Sequence, residues 1–275
     1  MTSIWGFVMQ TVEVSLMAMI LLIIKKVLKD KLSPRWQYGI WSLLLICMIV
    51  PVGIFGTYIF PRLAIYIEAI KSLIENYMNS TYIQSYELIC NISCIPYMTA
   101  FPQSFTDFLF VIYVLGIIIC TMRYILEYMM LRKLLRQGYP PTFKQEQQLQ
   151  SVCQKYHLKA CQILLIENLP SAFICGLFKP VLVLPYHQEV DDKVLLHELL
   201  HYQYRDVLQN AIWSLFHCLH WCNPFMNYIF KIIHNDIESL CDQRVLELLK
   251  GEERREYGRI LLSMTNEKYP HAQCH

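Results

Sequence analysis

Charge is scarce in this chain: only 17% of its 275 residues are Asp, Glu, Lys or Arg, while 55% are hydrophobic. That is too apolar for an ordinary soluble protein and points to segments that lie in lipid. The formal net charge is only +2, so composition offers no basic excess, and no direct nucleic-acid partner is expected. The eleven cysteines are scattered, mostly in apolar runs, without the dense spacing of a disulfide scaffold. A Gly-rich phosphate loop, an internal repeat and a low-complexity tract are all missing. The first apolar run also lacks a basic residue before it, which argues against a cleaved signal peptide and for a retained helix.

Three stretches are long enough to span a bilayer, about 4–24, 36–60 and 108–126. Between the first two lie Lys25, Lys26, Lys29, Lys31 and Arg35 against one acid, Asp30. The positive-inside rule makes that loop cytoplasmic and puts the N-terminus outside. The loop 61–107 is then extracellular, and its acids (Glu68, Glu75, Glu87, Asp107) outnumber its bases (Arg62, Lys71). Leu63, Tyr66, Ile67, Ile70, Leu73, Ile74 and Tyr77 repeat there at helical spacing, as in an amphipathic helix on the outer leaflet. Cys90 and Cys94 are either a disulfide in an oxidising exterior or two free thiols. Glu13 is either an intramembrane carboxylate facing protein or water, or a group near the outer interface. The third helix should run on past Arg123 to Gln137, with Arg132, Lys133 and Arg136 marking the cytoplasm, and stop at Gly138-Tyr139-Pro140-Pro141.

The chemistry sits further on. His197-Glu198-Leu199-Leu200-His201 reads as a helical turn, and two imidazoles four residues apart share one helix face. At that separation both can ligate one Zn²⁺, and Glu198 is then in reach of a water activated at the ion, as a general base. The bland alternative is a buried helix with two hydrogen-bonded histidines. Around this turn the composition becomes globular. Gln145–Tyr156 reads as a helix, Cys161–Ile166 as a strand, and 172–175 and 180–184 as a hairpin about Gly176-Leu177-Phe178-Lys179. A strand just ahead of such a helix offers an edge to an extended peptide. Asp191 and Asp192 suit the helix start.

Two histidines need a third protein ligand, and His217, His220, Asp236, Glu238 and Asp242 are the candidates. Residues 207–233 are apolar enough to pass for a fourth span, which would put Glu238 across the lipid from His201. Asn223-Pro224 resolves this: Asn223 can cap a new helix and Pro224 suits its first position, so the segment becomes a helical hairpin. Its return arm brings Glu238 back as third ligand, with Asp242 on the same face to hold a ligand histidine by its second nitrogen. The plain reading of these acids is a solvated helix face. His217, Cys218, His220 and Cys222 spread around a hydrophobic helix and read as packing rather than a second metal site.

Taken together, these motifs resemble the BlaR/MecR-type sensor-transducer metallopeptidases, membrane relatives of the gluzincins. The resemblance runs over almost the whole chain: Ser33-Pro34-Arg35-Trp36 with Trp41 and Pro51, the stretch Ser171 to Pro185, and His197-Glu198-x-x-His201 followed by Arg205-Asp206. It continues through Trp221-Cys222-Asn223-Pro224, Glu238-Ser239-Leu240-Cys241-Asp242 and Tyr257-Gly258-x-x-Leu261-Leu262. It implies His197, His201 and Glu238 as zinc ligands and Glu198 as the catalytic base. It further implies a cytoplasmic zinc endopeptidase in a bacterial plasma membrane, coupled to an antibiotic or cell-wall signal. Its expected substrate is a cytoplasmic transcriptional repressor, and it also cleaves its own chain. Only Ser263–His275 follow Leu262, too few for another span, so the expectation is either a truncated or short member, lacking the penicillin-binding sensor domain, or one that uses another sensor. Arg254-Arg255 is a self-cleavage point by analogy, or a basic pair on an exposed helix.

The expected architecture is a mainly α membrane protein: three transmembrane helices within 1–137, then a cytoplasmic α+β gluzincin-like domain with a small sheet over 138–275. A homodimer stays open. The rivals are a zinc-stabilised signalling protein that cleaves nothing, a housekeeping quality-control protease, and a transporter, for which three spans make a poor pore.

Overall fold

The structure is a computed structural model, and it describes residues 4–28, 31–49, 72–73, 76–77, 105–167, 169–177 and 179–268. The side chains of 4–9, 105–107 and 263–268 are not among those described. Cys90, Cys94, most of the expected outer amphipathic helix and the end of the expected second span lie outside these residues. The chain divides into two compact units, Met1–Ile125 with Leu215–Lys231, and Leu126–Ser214 with Ile232–His275.

In the first unit, α1 (Ile4–Leu28) packs on α3 (Trp41–Ile49), which follows the short α2 (Pro34–Gly39). Ile40 between α2 and α3 keeps a helical backbone at φ −58° and ψ −33°. Val14, Ala18, Trp41 and Leu44 of these helices are buried, yet Val12, Leu16, Ile20, Ile23 and Ile46 face outward. Helix α4 (Phe105–Leu135) likewise exposes Val111, Leu115, Ile119 and Met122. Among the described residues one helix, Phe108–Leu135, is long and apolar enough to cross a membrane. The turn 220–223 also belongs to this unit. Its Trp221 Nε1 donates to the Tyr113 carbonyl at 3.2 Å, and Asn223 Nδ2 donates to Ser15 Oγ at 2.7 Å. Gly116 is needed here, because a Cβ on it would lie 2.1 Å from the Trp221 ring.

The second unit starts from α5 (Phe143–Tyr156), whose Thr142 backbone N–H donates to Gln145 Oε1 at 3.0 Å, half of a capping box. Strands β1 (Gln162–Ile166), β2 (Phe173–Cys175) and β3 (Val181–Pro185) form a sheet in the order β1-β3-β2. β1 runs parallel to β3 and β2 antiparallel to it, with Ile174 opposite Leu182. The β2–β3 turn needs Gly176, which holds φ +99° with the Lys179 carbonyl 2.6 Å from where a Cβ would be. Tyr139 and Leu165 exchange backbone hydrogen bonds of 2.8 and 2.9 Å along the outer side of β1. Helix α6 (Asp192–Tyr204) begins where Asp191 Oδ1 accepts from the Lys193 N–H at 2.8 Å. Leu195, Leu196, Leu199 and Leu200 turn its inner face into the core against Leu182, Leu184 and Val245. Each such burial contributes about 1.5–3 kcal/mol, so the face carrying the histidines is anchored from behind.

Helix α6 stops at Arg205, which adopts a left-handed backbone (φ 56°) with its N–H on the His201 and Tyr202 carbonyls. Helix α7 (Asp206–Leu219) starts at the next residue. Asn223 Oδ1 then accepts from the N–H groups of Phe225 and Met226 at 3.0 and 3.3 Å, which starts α8 (Pro224–Leu248) as the sequence led us to expect. A last helix, α9 (Glu252–Lys268), follows Gly251. Arg254 donates from Nε to the Leu246 carbonyl at 3.0 Å and so ties the start of α9 to the end of α8.

Candidate metal centre

The periodicity of α6 places His197 and His201 on one face, and the hairpin returns α8 to it. The two imidazoles present Nε2 atoms 3.0 Å apart. Glu238 Oε2 lies 3.6 Å from each of them. A tetrahedral zinc site with bonds of 2.0–2.1 Å has ligand–ligand edges of about 3.3 Å, so this triangle fits such an ion with shifts of a few tenths of an ångström. Behind the pair sits Cys241, one helical turn after Glu238. Its sulfur lies within 4.8 Å of a ligand nitrogen of each histidine, and its thiol donates to the His197 carbonyl at 3.4 Å.

The far side of each ring is also held. His201 Nδ1 is 2.8 Å from Asp206 Oδ2, a buried carboxylate that also accepts from Arg244 Nη1 at 3.3 Å. The Arg244 guanidinium stacks over the Tyr204 ring, 3.6 Å from its centroid. His197 Nδ1 is 2.9 Å from the hydroxyl of Tyr257, which donates to Asp242 Oδ1 at 2.6 Å. Asp242 Oδ1 is itself 3.2 Å from the same imidazole nitrogen.

The charges follow from this packing. Burial works against a charged His201, but bonding to Asp206, Cys241 and Glu238 overrides it and pushes the pKa up to about 12. Burial opposes the charge on His197 too, and Asp242, Cys241 and Glu238 again prevail, so its pKa is raised. Burial would lift Glu238, yet the two imidazoles 3.6 Å away hold it well below the usual carboxylate range. The centre is an acceptor-rich pocket that favours a positive charge among its three donors. Glu198, half-buried beside the pair, is shifted the other way. Burial raises its pKa against the pull of the histidines and of the Ile174 N–H bonded to it from β2. A carboxylate raised toward neutrality is better matched to moving protons.

Of the residues singled out from sequence, His197, Glu198, His201, Glu238 and Asp242 come together in the second unit. His217 and His220 belong to the first, where His217 meets Tyr124 (2.8 Å) and Asn227 (2.6 Å) and His220 meets Thr11 (3.3 Å). Sequence reasoning gave no role to Asp206, Tyr257, Arg244 or Cys241. Asp206, Cys241 and Tyr257 stood within the motifs that carried the resemblance, which was the available signal.

A pair of helix-borne imidazoles met by a carboxylate from a returning helix, with a half-buried glutamate beside a sheet edge, is the arrangement of a metallopeptidase. The chain belongs to the BlaR1 peptidase M56 family, whose sequence profile matches residues 5–275. It is 30% identical over 129 residues to the methicillin resistance mecR1 protein of Staphylococcus aureus, covering 44% of this chain and 22% of that one. It is 32% identical over 98 residues to the regulatory protein BlaR1 of Bacillus licheniformis, covering 34% of this chain and 16% of that one. The matched stretch thus spans less than a quarter of either relative's length.

Proposed function

We propose that this chain is a membrane-embedded zinc endopeptidase that transduces an antibiotic or cell-wall signal by cleaving a cytoplasmic transcriptional repressor. The observation that carries the reading is the meeting of His197, His201 and Glu238, two helices apart in sequence, at one point beside Glu198. His197, His201 and Glu238 would hold the ion. When bound, zinc supplies Lewis-acid polarisation of the scissile carbonyl and a lowered pKa for the attacking water. Glu198 takes the proton of that water on its carboxylate and delivers it to the leaving amine nitrogen. β2 is a terminal strand of the sheet, and its Ile174 N–H reaches Glu198. An extended substrate segment adding along that edge has its backbone aligned beside the base.

The membrane part of the reading rests on the outward-facing apolar residues of α1, α3 and α4. The basic loop 25–35 and Arg132, Lys133 and Arg136 support three spans with the N-terminus outside and the peptidase domain, 138–275, in the cytoplasm. The regulatory assignment draws on the printed names of the relatives, a methicillin resistance protein and a regulatory protein.

The test is Glu198→Gln in the purified full chain. Zinc content should stay at the wild-type level while cleavage of a repressor falls by about 10²–10⁴-fold. Proteomics of cells carrying either form, challenged with a cell-wall antibiotic, should find the repressor fragment only with the intact enzyme. Full proteolysis by the Gln variant would remove Glu198 from its role. A wild-type chain that binds zinc but cuts nothing would favour a signalling protein without peptidase activity.

A further inference from the structure

Tyr257 occupies a place that packing alone does not explain. Its side chain is almost wholly buried in the core of the second unit, yet its hydroxyl is spent on two polar partners. A phenol has one proton to give. Here it goes to Asp242 Oδ1, at 2.6 Å. The 2.9 Å contact with His197 Nδ1 then runs the other way, with Nδ1–H donating to the phenolic oxygen, the nearer of two acceptors beside Asp242 Oδ1 at 3.2 Å. In the neutral form of His197 that a metal requires, this puts the one proton on Nδ1 and leaves the Nε2 lone pair facing His201 Nε2 and Glu238.

We propose that Tyr257 is a positioning residue of the metal centre: through the chain His197 Nδ1–H to Tyr257 Oη–H to Asp242, helix α9 sets the tautomer and orientation of one ligand. The inference rests on the metal-site reading above and deepens it. A second contact holds the same two helices in register. Glu256, adjacent to Tyr257, pairs with Lys193 at 2.9 Å, and Lys193 stands four residues before His197 on the same face of α6. α9 therefore grips α6 at two points one turn apart, one of them a ligand.

The experiment uses the full chain in detergent, with Zn²⁺ affinity from chelator competition and the visible spectrum of the Co²⁺-substituted protein. Tyr257→Phe keeps the buried ring and removes one oxygen. It should weaken Zn²⁺ binding by about 10- to 100-fold, the usual effect of losing an outer partner of a ligand histidine, and shift the Co²⁺ bands. Asp242→Ala should fall in the same range. The double variant should bind no more weakly than Asp242→Ala alone, because a hydroxyl without its acceptor no longer orders the imidazole. A Tyr257→Phe protein with wild-type affinity and spectrum overturns the proposal, as do losses that simply add. Should Tyr257→Phe fail to fold, unchanged affinity in Asp242→Ala overturns it equally. Wild-type protein that takes up no Zn²⁺, or keeps it after His197→Ala, sinks the metal-site reading itself.

Discussion

The two imidazoles of the centre are one turn apart on α6, and the regions that hold them differ in kind. His201 is served by a local device: α6 ends at a left-handed Arg205, and Asp206, five residues after His201, returns a carboxylate to its ring. That carboxylate is buried and also bonded to Arg244, so the His201 side is charged and closed. His197 is served from 60 residues away by a neutral hydroxyl on α9. Its final acceptor, Asp242, is partly open, with 29% of the side chain exposed. The first arrangement forms with the helix turn itself. The second is complete only once α9 has closed on the core and set its hydroxyl beside the 3.2 Å contact that Asp242 of α8 makes with the same nitrogen. One imidazole is thus held within the motif, and the other depends on tertiary assembly, so that under the proposed function a change in α9 would reach the metal.

The contrast breaks most severely at Asp206. Asp206→Ala leaves the Arg244 guanidinium, 13% exposed, without its carboxylate, and stranding one half of a buried pair costs about 3–5 kcal/mol. The same change frees the His201 ring, so zinc affinity should drop by about 10- to 100-fold as well. Thermal unfolding with and without zinc separates the two losses: the stability deficit persists in chelator, the affinity deficit does not appear there. Arg244→Met tests the opposite partner. Asp206 keeps His201 as a neighbour and the Tyr204 ring keeps an apolar cover, so the expected loss is smaller, about 1–3 kcal/mol, with zinc affinity changed less than by Asp206→Ala. If Arg244→Met were the more damaging variant for zinc, the His201 side would depend on the guanidinium rather than on the carboxylate.

Much of this was legible before any coordinates, for reasons that differ by element. The four-residue spacing of His197 and His201, the acids at 191 and 192 and the Leu195-Leu196, Leu199-Leu200 pairs all obey the helix period, a local property. Gly176 marked the β2–β3 turn, because its backbone is one that other residues rarely adopt. Asn223-Pro224 carried the decisive step, since a capped return helix is what lets Glu238 meet His201. The parallel pairing of β1 with β3 was not legible, because strand order is a tertiary property that no residue in these strands marks. Nor was the role of Asp206. A non-glycine residue in the left-handed region, Arg205, has no sequence signature, and without that turn Asp206 reads as an ordinary first-turn acid. Tyr257 reads as a buried aromatic in an amphipathic helix, and only the return of α9 shows what its oxygen touches. The boundary placed at Gly138 likewise gave no sign that residues 215–231 would join the first compact unit.

The weakest expected effect sits at the edge of the His197 side and sharpens the comparison by its size. Lys193 and Glu256 join α6 to α9 at 2.9 Å, with side chains 15% and 48% exposed. A half-exposed pair is screened, so Glu256→Gln should cost no more than about 1 kcal/mol. Its pH dependence has a definite sign. Bonding to Glu256 raises the Lys193 pKa above 10.5, and burial only partly offsets it. A group whose pKa is raised on folding contributes stability that is fully present below its unfolded value and is lost as pH rises through the folded one. The wild-type advantage over Glu256→Gln should therefore hold at neutral pH, where both groups are charged, and shrink in alkaline solution, above 10.5. Paired unfolding curves across that range check it. An advantage that vanishes near neutrality instead would mean that α9 is held to α6 by Tyr257 and the core alone, and that the salt bridge plays no part in keeping His197 aligned.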